Sequence, residues 1–232
     1  MSTIPPSSPR RQDGAATREQ LLRAACEIFA EHGFDRASGR QITARAGANV
    51  AAINYHFGGF ETLYAEVLAA AHAKIVGLDE LIEIEGGPGH AATKLRALID
   101  LAVKSVTSLD ETNWALRILR REFQAPSPAF HILEDREMLP KRAAARRLVA
   151  EIAGWPEDDP RVARIVLSIL SPVDAVLLGD PDVMLRSYTA LSEEPVAATK
   201  LAEHLFAFAL GGIAAVTGKS DLLAHLPPPL EI

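Results

Sequence analysis

The sequence predicts an all-α fold, with three short helices near the N-terminus ahead of a larger helical region. Three observations predict it. Alanine and leucine dominate, while long β-branched and aromatic runs are scarce, a balance that favours helix over strand. Apolar residues recur three and four apart in successive segments. Capping residues, glycines and prolines fall at the joints between those segments. No segment reads as a strand, and no internal repeat is visible.

The elements follow in order. Residues 1–16 are rich in proline, serine and arginine and are expected to be a disordered arm. Thr17-Arg-Glu-Gln20 reads as a capping box, followed by the stripe Leu21, Leu22, Ala25, Ile28 and Phe29. Gly33 ends this helix and Phe34 folds back. Ser38-Gly-Arg-Gln41 is a second capping box, opening a short helix with Ile42 and Ala46 on one face. Gly47 permits a tight turn and Asn49 caps a third helix over residues 50–57, with Ile53 and Phe57 on its inner side. Gly58-Gly59 breaks it, and a long helix runs from Phe60 to about Glu83. After the glycine break at residues 86–89, helices are expected at 90–107, 111–124, 128–153, 159–178 and 196–216, with bends at Pro140 and Pro172. Prolines 126, 128, 156, 160, 181 and 195 punctuate the joints.

Composition bounds the function. Hydrophobic residues make up 48% of 232 and charged residues 23%, as in a soluble globular protein with a sizeable core. The first residues hold no apolar leader, and the most apolar run, Leu205 to Val216, is shorter than a membrane span. A single cysteine, Cys26, fits a reducing cytoplasm. Beside the first apolar stripe it reads as a buried structural thiol. The seven histidines show no metal-ligand spacing with acids, so no metal and no cofactor are expected. No nucleophile elbow, phosphate loop or paired metal motif is present, so the chain is read as no enzyme. The net charge is −6, yet residues 1–60 carry seven arginines against five acids and net +2, leaving −8 for the rest. That asymmetry is mild and says little by itself about nucleic acid.

A short helix, a glycine turn and a second short helix make a helix-turn-helix. Its second helix would present Val50, Ala51, Asn54, Tyr55 and His56 outward, to a major groove about 12 Å wide. Small residues at its start allow close approach to bases, and the polar ones suit phosphates and base edges. Asn49 at the turn joins this candidate interface, while Arg40, Gln41 and Arg45 on the preceding helix join it only through a family resemblance. On spacing alone, a compact helical subdomain without nucleic acid fits equally.

Residues Thr17 to about Leu68 resemble the DNA-binding region of the TetR family without gaps. The resemblance is carried by Ala25, Phe29, Gly33 and Phe34, by Ile42, Ala46 and Gly47, by Tyr55-His-Phe57, and by Leu63-Tyr64. More loosely, Arg121-Glu-Phe-Gln-Ala-Pro-Ser-Pro-Ala129 and Ile53 to Phe57 resemble the CecR-type subgroup. The resemblance implies a ligand-responsive regulator, a repressor, that binds a palindromic double-stranded operator as a homodimer and is released by a small-molecule effector. It implies base reading by Arg40 and phosphate or base contacts by Tyr55 and His56. One departure stands out: where the family places serine or asparagine and then lysine at the start of the fourth helix, this chain has Gly59 and Phe60.

The implied domains are a helix-turn-helix over 17–62 and a ligand-binding and dimerisation region over 63–232. In the latter, Trp114, Phe123, Phe130 and Met138 read as core or pocket lining, joined as pocket candidates by His131 and Asp174. Asp174 is the odd carboxylate of an apolar helix, which needs a partner, a pocket or solvent. Arg117, Arg120 and Arg121 with Glu122 read as a solvated or ion-paired face. Leu167, Leu170, Val173, Leu201, Leu205, Phe208 and Ile213 form the expected dimer seam on the last two long helices. An enzyme is the rival class, and a helical protein-interaction module is a third, distinguished by the absence of salt-sensitive DNA binding.

Overall fold

The computed structural model describes residues 9–107, 113–179 and 197–226. They are helical throughout, with no strand among them. The expected joints at Pro181 and Pro195, and residues 1–8 of the expected arm, lie outside the described residues. The chain forms two compact units, residues 1–71 with 112–133, and residues 72–111 with 134–232.

The first unit begins with α1 (Pro9–His32), so residues 9–16 of the expected arm are helical. Proline suits a first helical position, and the helix simply continues through the expected capping box: Thr17 Oγ1 donates back to the Asp13 carbonyl at 2.8 Å instead of capping. Gly33 ends α1 at a φ of 74°, its N–H donating to the Phe29 carbonyl at 2.8 Å. α2 (Gly39–Ala46) starts at Ser38, whose Oγ accepts from Gln41 N and pairs with Gln41 Oε1 at 2.8 Å. α2 ends at Gly47, φ 64°, a left-handed turn that disfavours any side chain. α3 (Ala51–Phe57) follows after Asn49 Oδ1 accepts Ala51 N–H at 2.9 Å.

α4 (Phe60–Ile75) closes this bundle. Phe29, Phe34, Phe60 and Tyr64 form an aromatic cluster, with Tyr64 4.5 Å from Phe29 and 4.8 Å from Phe34 between ring centroids. α7 (Trp114–Gln124), although distant in sequence, belongs to the same unit. It buries Ala115, Leu116, Ile118 and Leu119, and Arg121 Nη1 donates to the Ala30 carbonyl of α1 at 2.9 Å. Arg121 is therefore bound to a helix end and not simply part of a solvated basic face.

The second unit holds α5 (Leu78–Gly86), α6 (Ala91–Thr107), α9 (Leu139–Ala153), α10 (Pro160–Leu178) and α11 (Ala197–Thr217). Its core includes Leu95, Leu148, Val149, Val162, Leu210 and Ile213. The single helix expected from Phe60 to Glu83 is interrupted at Gly77, whose extended backbone caps α5. The single helix expected over 128–153 is α8 (Phe130–Leu133), a π-helical turn (Glu134–Met138) and then α9. Pro140 sits in the first turn of α9, where its missing N–H is least costly.

Within α11, the stretch Ala198–Thr217 is long and apolar enough to cross a membrane by length and composition, contrary to the sequence expectation. Its apolar content has another use. Ala202, Phe206, Ala209, Leu210, Ile213 and Ala214 are buried in the core.

Candidate nucleic-acid interface

The helix-turn-helix is built by local chemistry. Ser38, Gly47 and Asn49 fix the ends of α2 and α3, while Ile42, Ile53 and Phe57 face inward and are buried. Gly39 lets the start of α2 approach α3: a Cβ there would meet Ile53 Cδ1 at 3.3 Å. The outward row is consequently Arg40, Val50, Ala51, Asn54 and Tyr55, all exposed, with His56 half-buried. Tyr55 is 84% exposed and meets His56 edge to face at 4.8 Å between centroids.

Three of the nine candidates have structural work of their own. Arg45 is gripped by two acids of α1: its Nη1 and Nη2 reach Glu31 at 2.8 and 3.2 Å, and Nη1 also reaches Glu27 at 3.4 Å. The hydrogen bond from Arg45 holds the Glu31 carboxyl below its ordinary range, and the same bond raises Arg45. Arg45 is a strut between α1 and α2. Gln41 is engaged with Ser38 through its Oε1, and Asn49 through its Oδ1 with the start of α3. Arg40, Asn54 and the Tyr55 hydroxyl keep their polar groups turned to solvent.

Sequence reasoning missed Arg18. Its guanidinium lies 4.7 Å above the Phe57 ring and pairs with Glu66 of α4 at 3.0 Å. It thereby fixes the last residue of the outward-facing helix. Phe60, at the position where the family places lysine, is part of the aromatic cluster, 5.3 Å from Phe29 and 5.6 Å from Phe34.

The pocket candidates divide between the units. Trp114, Phe123, Phe130 and His131 belong to the first, Met138 and Asp174 to the second. Phe123 and Phe130 meet edge to face at 5.6 Å, His131 is exposed and Met138 is buried. Asp174 lies on α10 with much of its surface exposed, while partial desolvation pushes its carboxyl above the ordinary range. The second unit has its own cavity of about 600 Å³, with Leu78, Leu101, Lys104, Ser105 and Glu137 in its wall.

Of the seam candidates, Leu167 and Phe208 are 67% and 68% exposed, and Leu170, Val173, Leu201 and Leu205 are half-buried. Ile213 is a correction: it is fully buried within the single chain, because it lies on the inner face of α11. An apolar groove of about 350 Å³ between α10 and α11 includes Ile169, Pro172, Leu205, Phe208 and Val216.

Comparison with known proteins agrees with this architecture. Residues 21–67 match the model of bacterial regulatory proteins of the tetR family, and residues 91–213 match the C-terminal domain of the HTH-type transcriptional dual regulator CecR. CecR of Shigella flexneri is 31% identical over 193 residues, spanning 78% of this chain and 85% of that protein. Among solved structures, a transcriptional regulator of Pseudomonas aeruginosa PAO1 is similar with a TM-score of 0.67 and 22% identity, over 92% of this chain and 95% of that one. FadR of Bacillus subtilis, solved in complex with stearoyl-CoA, is similar in fold with a TM-score of 0.58 and 13% identity, over 84% of this chain and 98% of that one. The chain is a transcriptional regulator and belongs to the TetR family, in the branch that carries the CecR-type C-terminal domain.

Proposed function

We propose that this regulator binds a palindromic operator as a homodimer, represses from it, and is released by a small molecule. The observation that carries the reading is the exposed row Arg40, Val50, Ala51, Asn54 and Tyr55 on one face of α2 and α3, backed by buried Ile53 and Phe57. One such helix covers few base pairs, and two-fold symmetry doubles the reading. Residues 17–62 read DNA, and residues 63–232 bind the effector and dimerise. The chain acts in the cytoplasm, without cofactor or catalysis. The relative from Shigella is named a dual regulator, so the sign of regulation is to be measured promoter by promoter.

Arg40 reads sequence and Tyr55 anchors. In vitro selection with the full chain, followed by a saturation series of operator variants at fixed salt, tests this. Arg40→Ala should relax preference at one base pair per half-site, a loss of ~1–3 kcal/mol of discrimination. Tyr55→Phe should weaken all variants about equally. A uniform loss with Arg40→Ala would make Arg40 a phosphate anchor and leave reading to Val50, Ala51 and Asn54.

The dimer forms through the exposed apolar faces of α10 and α11, where Leu167 and Phe208 are too large and too exposed for a lone protomer. Sedimentation should give a dimer at micromolar concentration, and Leu167→Asp with Phe208→Asp should give a folded monomer with weak operator binding. A monomeric wild type would remove the palindrome from the reading.

The effector is amphipathic and binds in the second unit. The cavity beside Glu137 and Leu101 is of small-molecule size, and its ligand must favour the conformation that binds DNA poorly. Thermal-shift screening that includes acyl-CoA thioesters, followed by DNA-release assays, is the direct search.

A further inference from the structure

The chain passes between its two units three times, at 71/72, 111/112 and 133/134. Within the second unit, one side chain ties the start of its first segment to the start of its last. Lys141 of α9 is only 8% exposed. Its Nζ lies 2.7 Å from Nδ1 of His72, the first residue of the second unit on α4. The same Nζ donates at 2.7 Å to Oε2 of Glu137, in the π-helical turn that begins at the last crossing. A π-turn inside a helix is rare and gathers at functional sites. Here it precedes Pro140 and carries the carboxylate that the lysine holds.

A buried ammonium is an expensive way to fill space, and an apolar residue of like volume generally packs as well. Buried ion pairs of this kind set one arrangement among several, a use that must be tested in each protein. The same two stretches of chain are tied again inside the first unit, where Glu122 binds Tyr64 of α4 and Ser127. The second-unit tie has a further property: Glu137 also stands in the wall of the cavity of about 600 Å³. A molecule bound there would compete for the carboxylate that Lys141 holds.

We infer that Lys141 is a positioning residue for DNA binding: by holding His72 and Glu137 together it keeps the regulator in its operator-competent arrangement. This rests on the DNA-reading function proposed above. If the competent fraction falls, apparent affinity falls in proportion while the phosphate contacts of each bound complex stay the same.

The test uses the full-length protein and a duplex selected in vitro by the wild type, with binding followed by fluorescence anisotropy across a salt series. Lys141→Met should bind about tenfold more weakly, with an unchanged slope of log affinity against log salt. Glu137→Gln should move the same way and decides the matter if Lys141→Met does not fold. Lys219→Met is the control, since Lys219 makes a comparable tie to the Ile152 carbonyl at 3.0 Å in the same unit, away from the crossings. It should lower the melting temperature and leave affinity alone. Unchanged affinity in Lys141→Met, or an equal loss in Lys219→Met, overturns the inference. A wild type that selects no duplex overturns the DNA-reading function itself, and the inference with it.

Discussion

Acidification from pH 7 to pH 4 is expected to remove about 3 kcal/mol of stability through His72 alone. Burial, and then the charges of Lys141 and Arg142, push His72 down from 6.5 to about 3. The imidazole is therefore neutral in the folded protein across this range, and it accepts from Lys141 at 2.7 Å through Nδ1. In the unfolded chain the ring binds a proton near 6.5. Between the two values the unfolded state holds more protons, so stability is complete above about pH 6.5 and drains away as pH falls toward 3. Chemical denaturation at a series of pH values measures it, at fixed protein concentration because any self-association shifts the midpoint. His72→Asn keeps an acceptor without a titrating ring, and its stability should be about 3 kcal/mol less sensitive over the same range. Parallel curves for the two proteins would show that His72 charges freely in the folded state and that Lys141 is not its donor.

What could be read in the sequence was local. Ser38, Gly47 and Asn49 act within four residues of themselves, so the ends of α2 and α3 were legible, as was the inward turn of Ile53 and Phe57. The Arg45 strut was within reach. Glu27 and Glu31 stand one helical turn apart on α1, a pattern that invites a cation, but which cation answers depends on the α1–α2 packing. Long-range ties were invisible. Tyr64 and Glu122 are 58 residues apart, Arg121 and the Ala30 carbonyl 91, His72 and Lys141 69. Those contacts are why α7 groups with the DNA-reading helices and why the basic cluster, read as solvated or ion-paired, sends Arg121 to a helix end. The π-turn at Glu134–Met138 left no signal because its sequence is that of an ordinary helix. Ile213 was misplaced for a related reason. α11 is apolar on nearly all sides, and periodicity cannot then say which face turns inward.

Glu122→Ala should destabilise the protein by ~3 kcal/mol, one of the largest losses available to a single polar substitution here. Glu122 is 2% exposed. Its Oε2 accepts from the Tyr64 hydroxyl at 2.8 Å, and its Oε1 accepts from the backbone N–H of Ser127 at 2.9 Å and from Ser127 Oγ at 2.7 Å. Burial first, and then the Glu122 charge, push the Tyr64 phenol well above its ordinary range, so that hydroxyl stays protonated and stays a donor. Alanine would leave three donors facing no acceptor, next to a space the carboxylate used to fill. Glu122→Gln tests the charge separately. Its amide oxygen can accept from Ser127 while its NH₂ donates to the Tyr64 hydroxyl oxygen, so the charge assistance is what is lost, and a loss of ~1–2 kcal/mol is expected. Tyr64→Phe removes the hydroxyl and leaves Ser127 bound, so its loss should also be ~1–2 kcal/mol. Because the three groups share one carboxylate, Glu122→Gln and Tyr64→Phe should cost less together than the sum of their separate effects. Urea midpoints at constant m-value measure each loss. A Glu122→Ala protein within ~0.5 kcal/mol of wild type would mean that water serves Tyr64 and Ser127 as well as the carboxylate does, and that the apolar face of α7 and the Arg121 bond to the Ala30 carbonyl suffice to hold it in the first unit.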